Sequence, residues 1–431
     1  MDTFIYPGEL IPKVRKFWSV RVPDPYDRLL DEVSDITLRS LLEVSYHATF
    51  YTEEARRVGF RLIYSSRGAI EAVRSGSTIR FENPRPFETS ELCRLAPATE
   101  PSRVSIGVYE ADEGPGLSIW GLIDTGSSWQ DFSSGAITLR GDLDFGTPLP
   151  RYLTVAAMEP GSLSVACGAF TVLNLRGGRL LEPAAVLREG PIYEFLHSAI
   201  DLVYEEICDV CGFPTTNIGN LTRVYVQYLT KVLLRMREKN HGGILLVVPD
   251  EWATSDVTLG GRLRVKYISN RARARRLLLD SLILAERQRE LQRVRTLGEA
   301  VPSEVFDEVF EVFARRTIID AALSDLVNFL AGLSAVDGAV VLTDRFRVLG
   351  FGAMVAVESD LQYVRIACDS TGECFRTIPI ESYGARHNAA FRLCDSSEAI
   401  VAFVVSQDGG VKAVKQLSGD VVLWEDVDLS L

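Results

Sequence analysis

Apolar and polar residues recur along this chain with two periods, and the switch between them marks its organisation. Short runs dominate the first part. "SYHATFYTEEARRVGFRLIYS" predicts a helix leading to a strand, while "LSIWGLIDTG" and "GSLSVACGAFTVLNLRGGRL" predict strands broken by glycine turns. The pattern then lengthens: "PIYEFLHSAIDLVYEEICDVCGF" and "GNLTRVYVQYLTKVLLRMREKN" carry apolar residues at helical spacing. "HGGILLVVPDE" reads as a tight turn feeding a fully buried strand. The two glycines after His241 fit either a helix C-cap or a close approach of backbone to a small molecule.

Residues 262–295, "RLRVKYISNRARARRLLLDSLILAERQRELQRVR", are dense in arginine and place Leu277, Leu278, Ile283 and Leu284 on a helical pattern. This predicts an amphipathic helix with a basic face, at a position suited to a linker. Beyond it, "PSEVFDEVFEVFARRTIIDAALSDLVNFLAGLSAVDG" predicts two helices, the second ending near Gly332. "DGAVVLTDRFRVLGFGAMVAV" predicts two buried strands joined by a polar turn at Asp344 and Arg345. "EAIVAFVVSQDGGVKAVKQ" predicts a second hairpin with Asp408, Gly409 and Gly410 in its turn. The expected fold class is α/β, with a mixed α/β domain over 1–255, a helical connector over 256–302 and a second α/β domain over 303–431.

Composition narrows the setting. With 431 residues, 47% hydrophobic and 24% charged, the chain has the makeup of an ordinary globular protein of two or three domains. Its start, "MDTFIYPGELIPKVRKFW", lacks the basic and apolar regions of a signal peptide, and no apolar run reaches the roughly 18 residues that span a bilayer. A cytoplasmic location without membrane partners is the expectation. Seven scattered cysteines suit a reducing compartment rather than a disulfide framework; Cys208 and Cys211 have zinc or redox spacing but lack a second pair. A net charge of −12 argues against a general nucleic-acid coat.

The chemistry concentrates in "YGARHNAAFRL", residues 383–393. Gly384 and Ala385 let backbone approach a ligand, and a helix starting near Arg386 would turn free N–H groups toward it. Phosphate is the natural guest. Arg386 could add a forked charged donor, and His387 either a proton-bearing donor or a neutral metal ligand.

"VDGAVV" at 336–341, "GARHNAA" at 384–390 and "AIVAFVVSQDGG" at 399–410, in this order, resemble the diadenylate cyclase domain, a family that joins two ATP molecules into cyclic di-AMP. The resemblance covers roughly residues 304–425 and implies a central mixed β-sheet flanked by helices. It implies that Asp337 lies near the attacking 3′-hydroxyl and a divalent metal, Mg²⁺ or Mn²⁺, with Gly338 and Ala339 beside the nucleotide. Arg386 and His387 match the first two residues of the family's phosphate-binding Arg-His-Arg. Asn388 stands where the third arginine is usual. Ser406 matches a phosphate-contacting serine, and Gln407 stands where an acidic metal ligand is usual, with Asp408 beside it as a substitute. The nucleotide-binding set is thus Gly338, Ala339, Gly384, Ala385, Arg386, His387, Asn388 and Ser406; the metal set is Asp337, His387 and Asp408. One motif pair per chain and a twofold product imply a homodimer or larger even assembly. The amino-terminal half, with "IWGLIDTG", "EEARRVGFRL" and "HGGILLVVP", is similar to the sensor domains labelled DACNV, which implies regulation by an unidentified ligand or protein.

Overall fold

A computed structural model describes residues 4–22, 26–53, 56–65, 78–99, 104–111, 116–124, 152–167, 170–181, 184–211, 218–239, 241–254, 261–271, 273–296, 303–406 and 410–429. The chain is mixed α/β and divides into two compact units, Met1–Pro183 and Ala184–Leu429.

The first unit opens with α1 (Ile11–Arg21) and α2 (Asp35–Ala48). Ser34 starts α2 by accepting the Thr37 N–H on its Oγ at 3.0 Å, which satisfies a donor the helix cannot pair internally. Leu38, Leu41, Leu42 and Tyr46 follow at helical spacing and are buried. β1 (Thr52–Glu53) and β2 (Arg56–Arg57) form a short pair of their own. The α2 residues join a core with β3 (Phe60–Tyr64) and β4 (Thr78–Pro86), the short helix α3 (Thr89–Leu95), β5 (Val104–Glu110), β6 (Leu117–Asp124), β7 (Leu153–Ala157), β8 (Ser162–Cys167), β9 (Phe170–Arg176) and β10 (Arg179–Leu181). Apart from the short β1–β2 pair, these form one sheet in the order β10-β9-β8-β7-β3-β5-β6-β4, antiparallel except at β3–β5. Gly107 and Gly121 face each other across β5 and β6. A Cβ on Gly107 would lie 2.2 Å from the Trp120 ring, and one on Gly121 would lie 2.1 Å from Ile79 O. The glycine in "IWGLID" is therefore set by a close strand approach rather than by a turn.

The second unit runs through α4 (Gly190–Cys211), α5 (Ile218–Glu238), β11 (Gly243–Val248), β12 (Leu263–Arg271), α6 (Arg273–Thr296), α7 (Ser303–Leu333), β13 (Ala339–Thr343), β14 (Val348–Val355), β15 (Tyr363–Ala367), β16 (Phe375–Pro379), α8 (Ala385–Asp395), β17 (Val401–Val405), β18 (Val411–Leu417) and β19 (Asp420–Trp424). Its sheet has the order β12-β14-β13-β11-β17-β18-β19-β15-β16. β11 is parallel to β13 on one side and antiparallel to β17 on the other. All six of its residues are buried. Ile244, Leu246 and Val248 share a core with Ala390 and Phe391 of α8, while Leu245 and Val247 are buried on the opposite face.

Three expectations change. The boundary expected near 255 falls inside the second unit, because α4, α5 and β11 belong to it: a continuous apolar strand must be paired on both edges, and its partners lie after residue 338. The helix expected over 262–295 begins instead as a strand. In β12, Leu263 and Val265 are buried while Arg264 and Lys266 are exposed, a period of two, and β12 pairs with β14. Helical spacing takes over only at Arg273. The two helices expected over 303–333 are one, since no breaker interrupts the apolar period before Gly332. The arginines of α6 also have local partners: Arg287 Nε donates to Glu308 Oε1 of α7 at 2.7 Å, and its Nη1 to Glu290 Oε2 at 2.6 Å.

These partners make a prediction about fragments. A fragment starting at Ala184 will fold cooperatively, whereas one starting at Ser303 lacks β11 and β12, leaves β13 and β17 with bare apolar edges, and will aggregate or unfold. Circular dichroism and urea titration of the two fragments check this.

Candidate functional site at one end of the second sheet

Strand register brings the motif segments to one end of this sheet. Ile244 near the start of β11 is level with Ala339 at the start of β13 and with Val404 near the end of β17. The segments immediately beyond, Asp337-Gly338, His241-Gly242 and Ser406, therefore emerge at the same end. Val404 is also level with Lys412 at the start of β18, and β19 ends there with Trp424 opposite Ala413. The start of α8 reaches this end too. Tyr383, just before the helix, donates its hydroxyl to Glu425 Oε1 at 3.1 Å, and Lys412 Nζ lies 5.2 Å from the centre of the Tyr383 ring. Burial and the Glu425 carboxylate push the Tyr383 hydroxyl pKa up, so the phenol keeps its proton at neutral pH.

Gly338 has φ +108, and a Cβ there would come within 2.6 Å of the Gly352 carbonyl carbon. Only glycine fits between β13 and β14 at this point. Asp337 is exposed, and among the described residues its carboxylate makes no ion pair or hydrogen bond. Ala339 is buried as the first residue of β13. Gly243 is also held by packing: a Cβ would meet the Ser334 Cβ at 2.9 Å. Next to it, His241 Nδ1 is 2.9 Å from Gly242 O, and its buried Nε2 has no hydrogen-bond partner among the described residues.

Helix α8 begins at Ala385 with Gly384 as its N-cap residue, and Asn388 N donates to Gly384 O at 3.1 Å. No side chain caps this end, so its first N–H groups stay available. Arg386 is exposed and makes no ion pair among the described residues. His387 is half-buried between aromatic rings, with centroids 5.3 Å from Tyr383 and 6.3 Å from Phe391. Asn388 turns the other way. Its Nδ2 donates to Tyr383 O at 2.8 Å, tying the helix to the preceding loop, while its Oδ1 has no partner among the described residues. Ser406 is half-buried and its N–H donates to Gly410 O at 2.8 Å. Asp408 lies outside the described residues. Among the described residues no three His, Cys, Asp or Glu side chains gather as a metal site. Tyr383, Lys412, Glu425 and Arg376, which pairs with Glu425 Oε2 at 3.0 Å, were not singled out by sequence. They come together only through the β18, β19 and β16 pairings.

The opposite end of the sheet is built differently. Asp250, after β11, accepts Thr343 Oγ1 at 2.8 Å and pairs with Arg347 at 3.1 Å and Arg275 at 3.4 Å. Asp344 accepts the Asp250 N–H at 2.9 Å. The turn expected at Asp344 and Arg345 is thereby clamped to the loop after β11. Phe346 is held there at φ +60, fully buried and edge-on to Tyr225.

Residues 30–124 match the family model described as probable sensor domain DACNV, which supports a sensor domain within the first unit. No curated protein and no solved structure matches the chain. No helix among the described residues is long and apolar enough to cross a membrane.

Burial raises the Asp344 pKa to about 6. Its folded value lies above the unfolded one, so the folded state holds an extra proton between about pH 4 and 6, and stability falls as pH rises through that window. Asp344→Asn keeps the acceptor for Asp250 N–H and removes the buried charge. We expect the variant to be more stable than the parent by about 1 kcal/mol at pH 7.5, with the gap closing by about pH 5. Urea midpoints at the two pH values check it.

Proposed function

We propose that the second unit is a diadenylate cyclase that condenses two ATP into cyclic di-AMP and two pyrophosphates, under the control of a sensor domain in the first unit. The observation that carries this reading is the register across β13, β11 and β17, which sets Asp337-Gly338 and Ser406 at the sheet end where α8 begins. The ordered resemblance of "VDGAVV", "GARHNAA" and "AIVAFVVSQDGG" to that family supports it, and the DACNV match over residues 30–124 supports a sensor domain in the first unit.

On this reading the N–H groups of Ala385, Arg386 and His387, with the Arg386 guanidinium, hold the phosphates and oppose the charge that grows on the α-phosphate as a 3′-oxygen attacks it. The narrow Gly338 seat fixes Asp337 at the strand mouth. The unpaired oxygens of Asp337 suit a hard divalent cation, Mg²⁺ or Mn²⁺, bound together with phosphate oxygens. When bound, that ion neutralises phosphate charge and makes the 3′-hydroxyl more acidic. His387 and Asp408 are the further residues that the family resemblance assigns to the ion. Each site holds one ATP, so two chains must face each other for both attacks, and a homodimer or larger even assembly follows.

A second reading has its own support. Asn388 replaces the family's third basic residue and is already engaged with Tyr383 O, and Gln407 replaces an acidic ligand. In that case the domain binds ATP or a cyclic dinucleotide as a regulatory module without turnover.

Incubating the purified chain with ATP and Mg²⁺ or Mn²⁺ separates the two readings. Release of pyrophosphate with cyclic di-AMP is expected, and Asp337→Asn should lower it by roughly 100-fold or more with little change in the unfolding midpoint. Nucleotide binding by calorimetry with no pyrophosphate selects the regulatory module. Neither binding nor turnover refutes both.

A further inference from the structure

Cys368 and Cys374 stand opposite each other at the tip of the β15–β16 hairpin. The ladder of these strands ends with Ala367 opposite Phe375. The next rung is the cysteine pair, where Cys368 N donates to Cys374 O at 2.7 Å. Directly opposed residues of an antiparallel pair send their side chains to the same face. The Cys374 thiol accordingly holds the pKa of the Cys368 thiol beside it above its ordinary value. Opposed residues joined by backbone bonds are about 5.5 Å apart at Cα, within the spacing a disulfide spans. Both cysteines are exposed, whereas Cys93, Cys167 and Cys394 are buried.

The tip is held in place by its own contacts. Asp369 Oδ1 accepts Gly372 N at 2.6 Å, its Oδ2 accepts Cys374 N at 3.0 Å, and Trp424 Nε1 donates to Asp369 O at 2.9 Å. Ser370 Oγ donates to Glu189 Oε1 at 2.6 Å. Gly372, at φ +77, permits the turn. The thiols are thus presented to solvent already facing each other, and closing a bond between them requires little rearrangement of the hairpin.

We propose that Cys368 and Cys374 are a reversible dithiol–disulfide site that exchanges with small-molecule disulfides such as oxidised glutathione. One thiol loses its proton to solvent and its sulfur attacks the glutathione disulfide, expelling a glutathione thiolate. The second thiol, on losing its proton, attacks the resulting mixed disulfide and expels the other. The pair gives up two electrons and two protons, and the oxidant ends as two glutathione thiols. An exposed disulfide across a hairpin is open to the reverse exchange, which distinguishes it from the buried structural bridges of secreted proteins. Odd cysteine number and scattered spacing conceal such a site, because the pairing is made by strand register. The pair also lies next to the functional end: Arg376, two residues beyond Cys374, ion-pairs with the Glu425 that accepts the Tyr383 hydroxyl.

The test uses the full-length chain, reduced and then incubated with oxidised glutathione. Free thiols are blocked, the protein is cleaved after Glu373 without reduction, and the peptides are weighed. The expected product joins the peptide ending at Glu373 to the one beginning at Cys374, lighter by two hydrogens than their sum, and excess reduced glutathione restores both thiols. Cys374→Ser should stop at a stable mixed disulfide on Cys368. Folding of the variant is read from its unfolding midpoint; if it does not fold, mapping the parent chain decides alone. Separate glutathione adducts persisting on both cysteines of the folded parent, two unmodified thiols, or linkage of either to another cysteine would overturn the proposal.

Discussion

A strand without a single exposed residue can exist only where both its edges are paired and both its faces are covered. β11 is such a strand in the second unit, and its two neighbours β13 and β17 are buried at every residue as well. Six consecutive apolar residues leave no solvent side, so β13 must close one edge and β17 the other. The pairing with β13 is parallel and that with β17 antiparallel. This fixes which ends of the two partners meet, and a slip of one residue would turn alternate side chains from one core to the other. The placement of Asp337-Gly338 beside Ser406, and of α8 across the same face, is inherited from this register.

The two ends of the sheet put that rigidity to different uses. At one end the groups are arranged without mutual satisfaction: an exposed carboxylate on Asp337, an exposed guanidinium on Arg386, an uncapped helix start and an orphaned His241 Nε2. At the other end Asp250 draws arginines from three positions and a threonine hydroxyl, and the charges quench one another. Polar groups held rigidly and left unpaired are suited to an incoming ligand, whereas paired ones hold a turn in place. The Asn388 side chain follows the second logic within the first site, since its Nδ2 is already engaged with Tyr383 O.

Much of this was legible in the sequence where the information is local. The hairpins β13–β14 and β17–β18 follow from alternating runs with a turn between them, and the start of α8 from Gly384 and Ala385. β15, β16 and β19 were not assigned, since "YVRIA", "FRTIP" and "DVVLW" are only five residues long and share no one pattern: β15 alternates, β16 is largely exposed and β19 is almost wholly buried. The membership of β11 in the second sheet was not legible for a related reason. β11 pairs with segments far along the chain, and no local pattern says which strands a buried run will choose. Arginine density in 262–295 hid the two-residue period of β12, because Arg264 and Lys266 occupy the outward positions of a strand as readily as those of a helix. Tyr383, Lys412 and Glu425 escaped because only strand pairing makes them neighbours.

The central claim is that the start of β13, the end of β17 and the first turn of α8 bind one phosphate-bearing ligand. Amide hydrogen exchange of the full chain, with and without ATP and Mg²⁺, tests it directly. Peptides covering 337–339, 384–388 and 406 should all slow on nucleotide binding, while those covering 343–347 at the opposite end stay unchanged. Binding that protects 343–347 and leaves 384–388 exchanging as before would contradict the account.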